Sequence, residues 1–434
     1  MAFVYLALGV LGIVALGVIM THRAGLKILA FVIGIAAGLI QIQVGGVHAY
    51  TILIFLYIVI SPEVRRGVLT RSVLLVLVAS LVSVTVLWGD LITSYNLAAQ
   101  LIVMAVTTAL FLARSRDSDL LVAQYGLVVL VTVGAATAIG QVLGIVPEQL
   151  FRLEGAETHR PSGIYPEPDW LGLYSAVGLV LVWSFKLRSR IRIPVIGILL
   201  LGVLLASARA AIIALIVVVI LRLLLTLLTR HRHRHRHRDR PDRSVKRSSI
   251  VLVVVLSATL LVFAIAFPMM LDLVTARLAG LLPGSGDAVV TARLGQSSGI
   301  LKFAEQAPWY GHGLSASGRI NGFGAIQYSR SEGLGTTSSN WLAGLWADAK
   351  ILSLPLIAFL SFSIFRQPSS PGAALLVLIL VNSLASNALF FPLTWFAIAL
   401  CLTGDSRRSE KAFDVVDVHR IRAGSTRRNM NRVI

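Results

Sequence analysis

Charge is scarce in this chain. Only 14% of its 434 residues are Asp, Glu, Lys or Arg, against about 25% in a soluble domain. Hydrophobic residues make up 56%, for a mean hydropathy of +0.83. That balance excludes an ordinary water-soluble globule. Cysteine is almost absent: Cys401 stands alone in the last apolar run. An intrachain disulfide and a cysteine-based metal site are therefore excluded. Also missing are the Gly-rich phosphate loop of ATP-driven pumps and the His-Glu-X-X-His pair of zinc proteases. Proton-coupled transporters carry chains of intramembrane acids. Here that signal shrinks to Asp348 beside Lys350, which lie two apart and do not share a helix face. They meet separate partners, or they mark a helix break ahead of Pro355.

Acids are the scarcer charge, 20 against 39 Lys and Arg, for a formal net charge of +19. Nucleic acid is not the implied partner. The bases fall in short loops between apolar runs, as the positive-inside rule produces. Those runs centre on residues 2–20, 27–43, 48–61, 71–88, 96–113, 119–142, 169–186, 193–206, 210–228, 249–268, 341–365, 372–386 and 389–403. Runs of this length without alternation exclude an outer-membrane barrel. They predict an all-α, polytopic integral membrane protein of 12–13 transmembrane helices. The last pair, with Asn382, Ser383, Ser386 and Asn387 between its halves, also reads as a broken hairpin.

Basic loops at 23–27, 65–71, 114–116, 186–192, 229–248 and 366 alternate with short connections at 44–47, 89–95 and 387–388 that hold no Lys or Arg. The expected topology has the N-terminus outside and the C-terminus in the cytoplasm. Residues 1–404 form the membrane domain, with external loops 143–168 and 269–340. Residues 405–434 form a basic, disordered cytoplasmic tail. The tract His231–Arg238 alternates His with Arg and reads as a solvated linker facing anionic headgroups, since its arginines oppose metal binding. The first span lacks a basic leader and a cleavage site and reads as a retained helix.

The loop Thr158-His-Arg-Pro-Ser-Gly-Ile-Tyr-Pro-Glu-Pro-Asp-Trp170 concentrates polar groups between apolar runs. Pro161, Pro166 and Pro168 keep it out of helix until Asp169. Asp169 is placed as an N-cap or first-turn acid, or as a catalytic one. Glu167, between two prolines, is a candidate general base or a partner for Arg160. Arg209 lies in Ala206-Ser-Ala-Arg-Ala-Ala211, in a tight external turn; it is an interfacial snorkelling residue or a ligand for an anion. The large outer loop carries Arg277, Arg293, Lys302, Arg319 and Arg330, which suggests an anionic partner. Residues 291–313 begin as an amphipathic helix with Leu294, Ile300, Leu301 and Ala304 on one face, ended by Pro308 and glycines. Arg293 and His312 are its exposed polar groups.

The order of these pieces resembles the O-antigen ligase and O-antigen polymerase family of bacterial membrane glycosyltransferases. The matching residues are Arg160-Pro-Ser-Gly163, Pro168-Asp-Trp-Leu-Gly172, Ala206-Ser-Ala-Arg209, Arg293 ahead of Ala307-Pro-Trp-Tyr-Gly-His-Gly313, and Ser339-Asn340 opening a late span. The resemblance covers about residues 120–403. It implies transfer of a glycan from a polyprenyl-diphosphate carrier to a hydroxyl of a glycan or glycolipid acceptor, outside the cytoplasmic membrane, for polysaccharide assembly at the cell envelope. It implies no cofactor and no metal. By position it gives Arg160, Arg209 and Arg293 the diphosphate, and Tyr165, Trp170 and Asn340 contact with substrate. The ligases carry a histidine before the late asparagine, implied to act as base; here Ser339 stands there. Glu167, Asp169 or His312 then takes the acceptor proton, or the diphosphate leaves with little help from a base. A transporter or flippase of lipid-linked glycans, and a peptidoglycan polymerase of the shape-and-division class, are the rival expectations.

Overall fold

The computed structural model describes residues 23–403 apart from 41, 45–46, 62–63, 90–93, 148–150, 152–159, 186, 235–274, 276–278, 280–287 and 328–336. The expected spans at 2–20 and 249–268, most of the His/Arg tract and the basic tail lie outside the described residues, as do Arg277 and Arg330. In chain order the helices are α1 (Arg23–Ala37), α2 (Ala49–Ile60), α3 (Arg66–Ser83), α4 (Tyr95–Arg114), α5 (Asp117–Val142), α6 (Pro168–Ser184), α7 (Ser189–Ala206), α8 (Arg209–Arg234), α9 (Ala288–Glu305), α10 (Trp341–Ala349), α11 (Leu354–Arg366), α12 (Pro371–Asn382) and α13 (Pro392–Thr403). Between α1 and α2, Gln43–Val44 pairs antiparallel with Val47–His48.

The chain is an all-α, polytopic membrane protein. Among the described residues, six helical segments are long and apolar enough to cross a bilayer: Val68–Trp88, Tyr95–Arg114, Asp117–Val142, Ser189–Ala206, Arg209–Leu227 and Trp341–Arg366. Ala49–Ile60, Pro371–Asn382 and Pro392–Thr403 are shorter apolar helices. The outward faces carry exposed apolar side chains such as Phe55, Val73, Val133, Ile216 and Phe362. Such a surface suits lipid and is untenable in water.

The core is made by close helix approach. Gly34 of α1 lies against the Ala123 carbonyl of α5, and Gly126 of α5 against the Phe31 carbonyl of α1. A side chain at either glycine would collide with backbone, so the two helices meet at van der Waals distance, the small-residue packing membrane helices favour. Gly172 of α6 faces Ala206, Ala208 and Ala211, which seats the first turns of α6 on the α7–α8 turn. In that turn Ser207 adopts a left-handed conformation at φ 49° and ends α7. Arg209 follows as the first residue of α8.

The last third departs from straight spans. The expected helix 341–365 breaks at Lys350, whose φ of 38° and ψ of −117° interrupt the helical path. Both sequence alternatives for this pair hold together. Asp348 accepts from the Ser315 and Ser317 N–H groups at 3.0 and 2.6 Å, while Lys350 donates to the Ala307 carbonyl at 2.5 Å. The break thus docks segment 307–317 on the end of α10. Residues 383–391 separate α12 from α13 as the broken hairpin expected there. Ser383 Oγ accepts from the Ala388 N–H at 3.1 Å, and Thr394 Oγ1 donates to the Ala388 carbonyl at 2.5 Å.

One helix face was misassigned. On α9, Ile300 and Ala304 are buried with Phe303, in a cluster with Ala316, Ile320, Ala343 and Ala347. Leu294 and Leu301 are exposed, 66% and 51%. These two leucines lie seven apart and form their own stripe, turned away from the 300–303–304 face.

Candidate functional site

The middle of loop 160–167 is held by Gln141. Gln141, in the last turn of α5, accepts from the Ser162 and Gly163 N–H groups at 3.2 and 2.8 Å. Its amide donates to the Gly163 carbonyl at 3.1 Å. Gly163 has φ of +62° and presses on the Gly134 carbonyl, so only glycine fits. Pro168 then occupies the first turn of α6, where its missing N–H costs nothing. Glu167 holds the N-cap position without capping through its side chain, and Asp169 is the first-turn acid.

Asp169 is the centre of the arrangement. One carboxylate oxygen accepts from Arg160 Nη1 at 3.1 Å and the other from Arg293 Nη2 at 3.3 Å. Two segments separated by more than a hundred residues therefore share one acid. Each arginine is fixed a second time through a backbone carbonyl, which suits the forked guanidinium. Arg160 donates to Ala206 O at 2.9 Å and Arg293 to Ala385 O at 2.6 Å. The Arg160 side chain is only 9% exposed, whereas those of Asp169 and Arg293 are 33% and 38% exposed. The cluster thus has a buried floor and an open rim.

Glu167 sits at that rim, exposed. Partial desolvation, and then the charge of Asp169, push its pKa above the ordinary carboxylate value; Arg293 and Arg160 pull the other way and do not cancel the rise. All three charged neighbours are therefore within electrostatic reach. Arg209 begins α8 three residues past the Ala206 carbonyl that Arg160 bonds, which places its backbone beside the cluster. Arg160 and Arg293 balance Asp169 and Glu167 when both acids are ionised.

The other expected residues have defined places. Trp170 packs edge-on against Phe391, ring centres 4.6 Å apart, and Tyr165 stacks on Tyr174 at 4.8 Å. Tyr165 is fully buried and forms a wall behind the loop. Asn340 caps α10, its Oδ1 accepting from the Leu342 and Ala343 N–H groups at 3.1 Å each. Its side chain is engaged as a helix cap. Ser339 donates to Gln296 Oε1. Gln296 is one turn along α9 from Arg293, so the hydroxyl at position 339 lies near the arginine cluster. His312, expected to be exposed, is buried, stacked on Phe303 at 3.8 Å with Nε2 2.9 Å from the Phe303 carbonyl. Those contacts place it in the packing of α9 on segment 307–317.

Sequence reasoning missed Gln141, Gln296, Phe391 and the carbonyls of Ala206 and Ala385. The one available signal for Gln141 was a polar residue at the end of an apolar run. Gly295-Gln-Ser-Ser-Gly299 has the Gly-X-Ser-X-Gly form of a hydrolase nucleophile elbow, but it lies within α9, with no strand-to-helix turn to present the serine. No group of three or more His, Cys, Asp or Glu able to hold a metal occurs among the described residues. Compared with models of known families and with curated proteins, the chain matches none.

Proposed function

We propose that this protein is a glycosyltransferase of the O-antigen ligase and polymerase type, moving a glycan from a polyprenyl-diphosphate carrier to a hydroxyl acceptor on the outer side of the cytoplasmic membrane. The observation that carries this reading is the Asp169 carboxylate shared by Arg160 and Arg293, with Glu167 at the rim and apolar helices beneath. Two anionic oxygens, one on each guanidinium group, form an arrangement that two oxygens of a phosphate would also take. The positive-inside pattern supports the external placement and a cytoplasmic C-terminus.

In the reaction, the acceptor oxygen attacks the anomeric carbon, and the bond from that carbon to the diphosphate oxygen breaks. The electron pair leaves on the diphosphate. Arg160, Arg209 and Arg293 stabilise the charge that develops there, the largest electrostatic change in the step. The hydroxyl proton passes to the Glu167 carboxylate, whose raised pKa makes it a better base than an ordinary glutamate. Asp169 holds the two arginines in register before the donor arrives. Trp170, beside Phe391, offers an aromatic face to the sugar. No metal or cofactor enters this scheme.

The test is purified protein with a lipid-diphosphate saccharide and a hydroxyl acceptor, following both product and released lipid diphosphate. Transfer lost in Arg160→Ala and Arg293→Ala supports the reading. Movement of intact donor across vesicles without release of lipid diphosphate would instead identify a flippase. Transfer confined to peptidoglycan precursors would identify the cell-wall polymerase.

A further inference from the structure

At the end of the bundle away from Asp169, α8, α11 and α12 enclose a cavity of about 190 Å³. Its walls are apolar, among them Val218, Leu221, Leu225, Ile364 and Val377, and among the described residues its one charged group is Arg222. Arg222 lies thirteen residues beyond Arg209 on α8, about 20 Å along the helix axis. A hydrocarbon core is about 30 Å thick. Arg222 therefore sits inside the membrane, closer to the leaflet opposite the candidate site.

An arginine at such a depth is costly unless it meets an anion or reaches water. The protein satisfies it poorly. Nη2 reaches the Ser370 carbonyl at 3.4 Å, a long contact, and the buried Nε has no hydrogen-bond partner. No described acid lines the cavity. The first turn of α12 borders it through Ala373 and Ala374, whose N–H groups are already bonded to Ser370, so Arg222 supplies the charge there. The cavity is not closed off from lipid: Leu221 and Phe365 on its walls are 41% and 79% exposed.

We propose that this cavity is a binding site for an anionic glycerophospholipid of the leaflet at the Arg366 end, which the charge pattern assigns to the cytoplasm. The phosphate diester meets Arg222, and an acyl chain lies along Val218, Leu225 and Val377. An anionic head on an apolar tail matches both features; a soluble anion uses only the first. The site is separate from the Asp169 cluster and does not depend on the reading of that cluster.

The experiment is native mass spectrometry and thermal unfolding of the full chain, with phosphatidylglycerol and phosphatidylcholine compared as probes. Bound phosphatidylglycerol should survive activation and raise the unfolding midpoint more than phosphatidylcholine does. In Arg222→Gln that preference should fall about fivefold, the scale of one basic residue at a membrane surface. Arg222→Lys should keep part of it. Val377→Trp, which fills the cavity and leaves the arginine, should lose it as well, so a folding defect at one position does not decide the result. Equal binding of the two lipids by the unaltered chain, or a preference that survives both Arg222→Gln and Val377→Trp, overturns the proposal. So does displacement of the lipid by inorganic phosphate alone, or by polyprenyl phosphate in preference to phosphatidylglycerol.

Discussion

Replacing Gln141 with Leu perturbs the candidate site without touching any charged group in it. Leucine matches the bulk of the side chain and removes three hydrogen bonds, at 3.2, 2.8 and 3.1 Å. The Ser162 and Gly163 N–H groups and the Gly163 carbonyl are then left buried beside an apolar residue. Each stranded group costs about 1–3 kcal/mol. Even at the low end the three sum to about 3 kcal/mol. At roughly 2 °C per kcal/mol for a large chain, the unfolding midpoint falls by about 6 °C. Function should suffer more than stability. Loop 160–167 carries Arg160 and Glu167, and a displacement of about 1 Å in such groups can cost roughly 100-fold in rate. The assay is transfer from a lipid-diphosphate donor well below the midpoint, beside unfolding followed by tryptophan fluorescence in the same detergent. A Gln141→Leu protein with unchanged midpoint and unchanged transfer refutes the argument that this glutamine holds the loop.

Glu167→Gln keeps the shape of the rim and removes the base, so transfer should fall at least tenfold; full turnover from pH 5 to 9 would move the proton to another group. In the unaltered protein, transfer should decline as pH drops through the raised Glu167 pKa, because protonation removes the base. Arg293→Ala deletes a charge that lowers this pKa, so the acid limb of the residual activity should shift to higher pH; a shift to lower pH contradicts the assignment. Asn340→Ala removes a helix cap and should cost about 1 kcal/mol in unfolding experiments, with little effect on the rate at saturating donor if the side chain only caps. Cysteines placed at the exposed Ser298 and Ser369 should label differently with an impermeant thiol reagent in intact cells. Ser298 alone should react, and the reverse pattern inverts the topology; native Cys401 is buried and adds little background.

What the chain disclosed in advance was governed by how local each signal is. Apolar length is a property of single segments, so the membrane class was legible, and so was the proline-delayed start of α6. The breaks were legible as alternatives only: Lys350 and the 383–391 turn showed as polar residues inside apolar runs, without geometry. Partnership was not legible. Asp169 reads as a helix-start acid from its neighbours, and nothing within ten residues announces Arg293, which reaches it from α9. Gln141 acts on backbone groups twenty-one and twenty-two residues on, and a backbone partner leaves no side-chain signal to pair with it. Of the expected face of α9, Ile300 and Ala304 are buried and Leu294 and Leu301 are not, because the neighbouring turns at Gly322 and Gly324 select the face that carries Gly295 and Gly299.

The reciprocal glycines of α1 and α5 set where this molecule can yield. With backbone against backbone at Gly34 and Gly126, α1 and α5 cannot slide or roll past one another without collision. Gln141 rides on α5, so Arg160 and the floor of the cluster belong to a fixed block. Arg293 reaches that floor at the Asp169 carboxylate and is tied by its second bond to the 383–391 turn, which itself meets α6 where Phe391 packs on Trp170. Trp341 fastens α10 to the same turn through Ser383 O and to the end of α12 through Leu380 O. Any widening that admits a bulky head between the arginines cannot come from α1 shifting on α5, so it falls on the half-exposed Asp169–Arg293 contact.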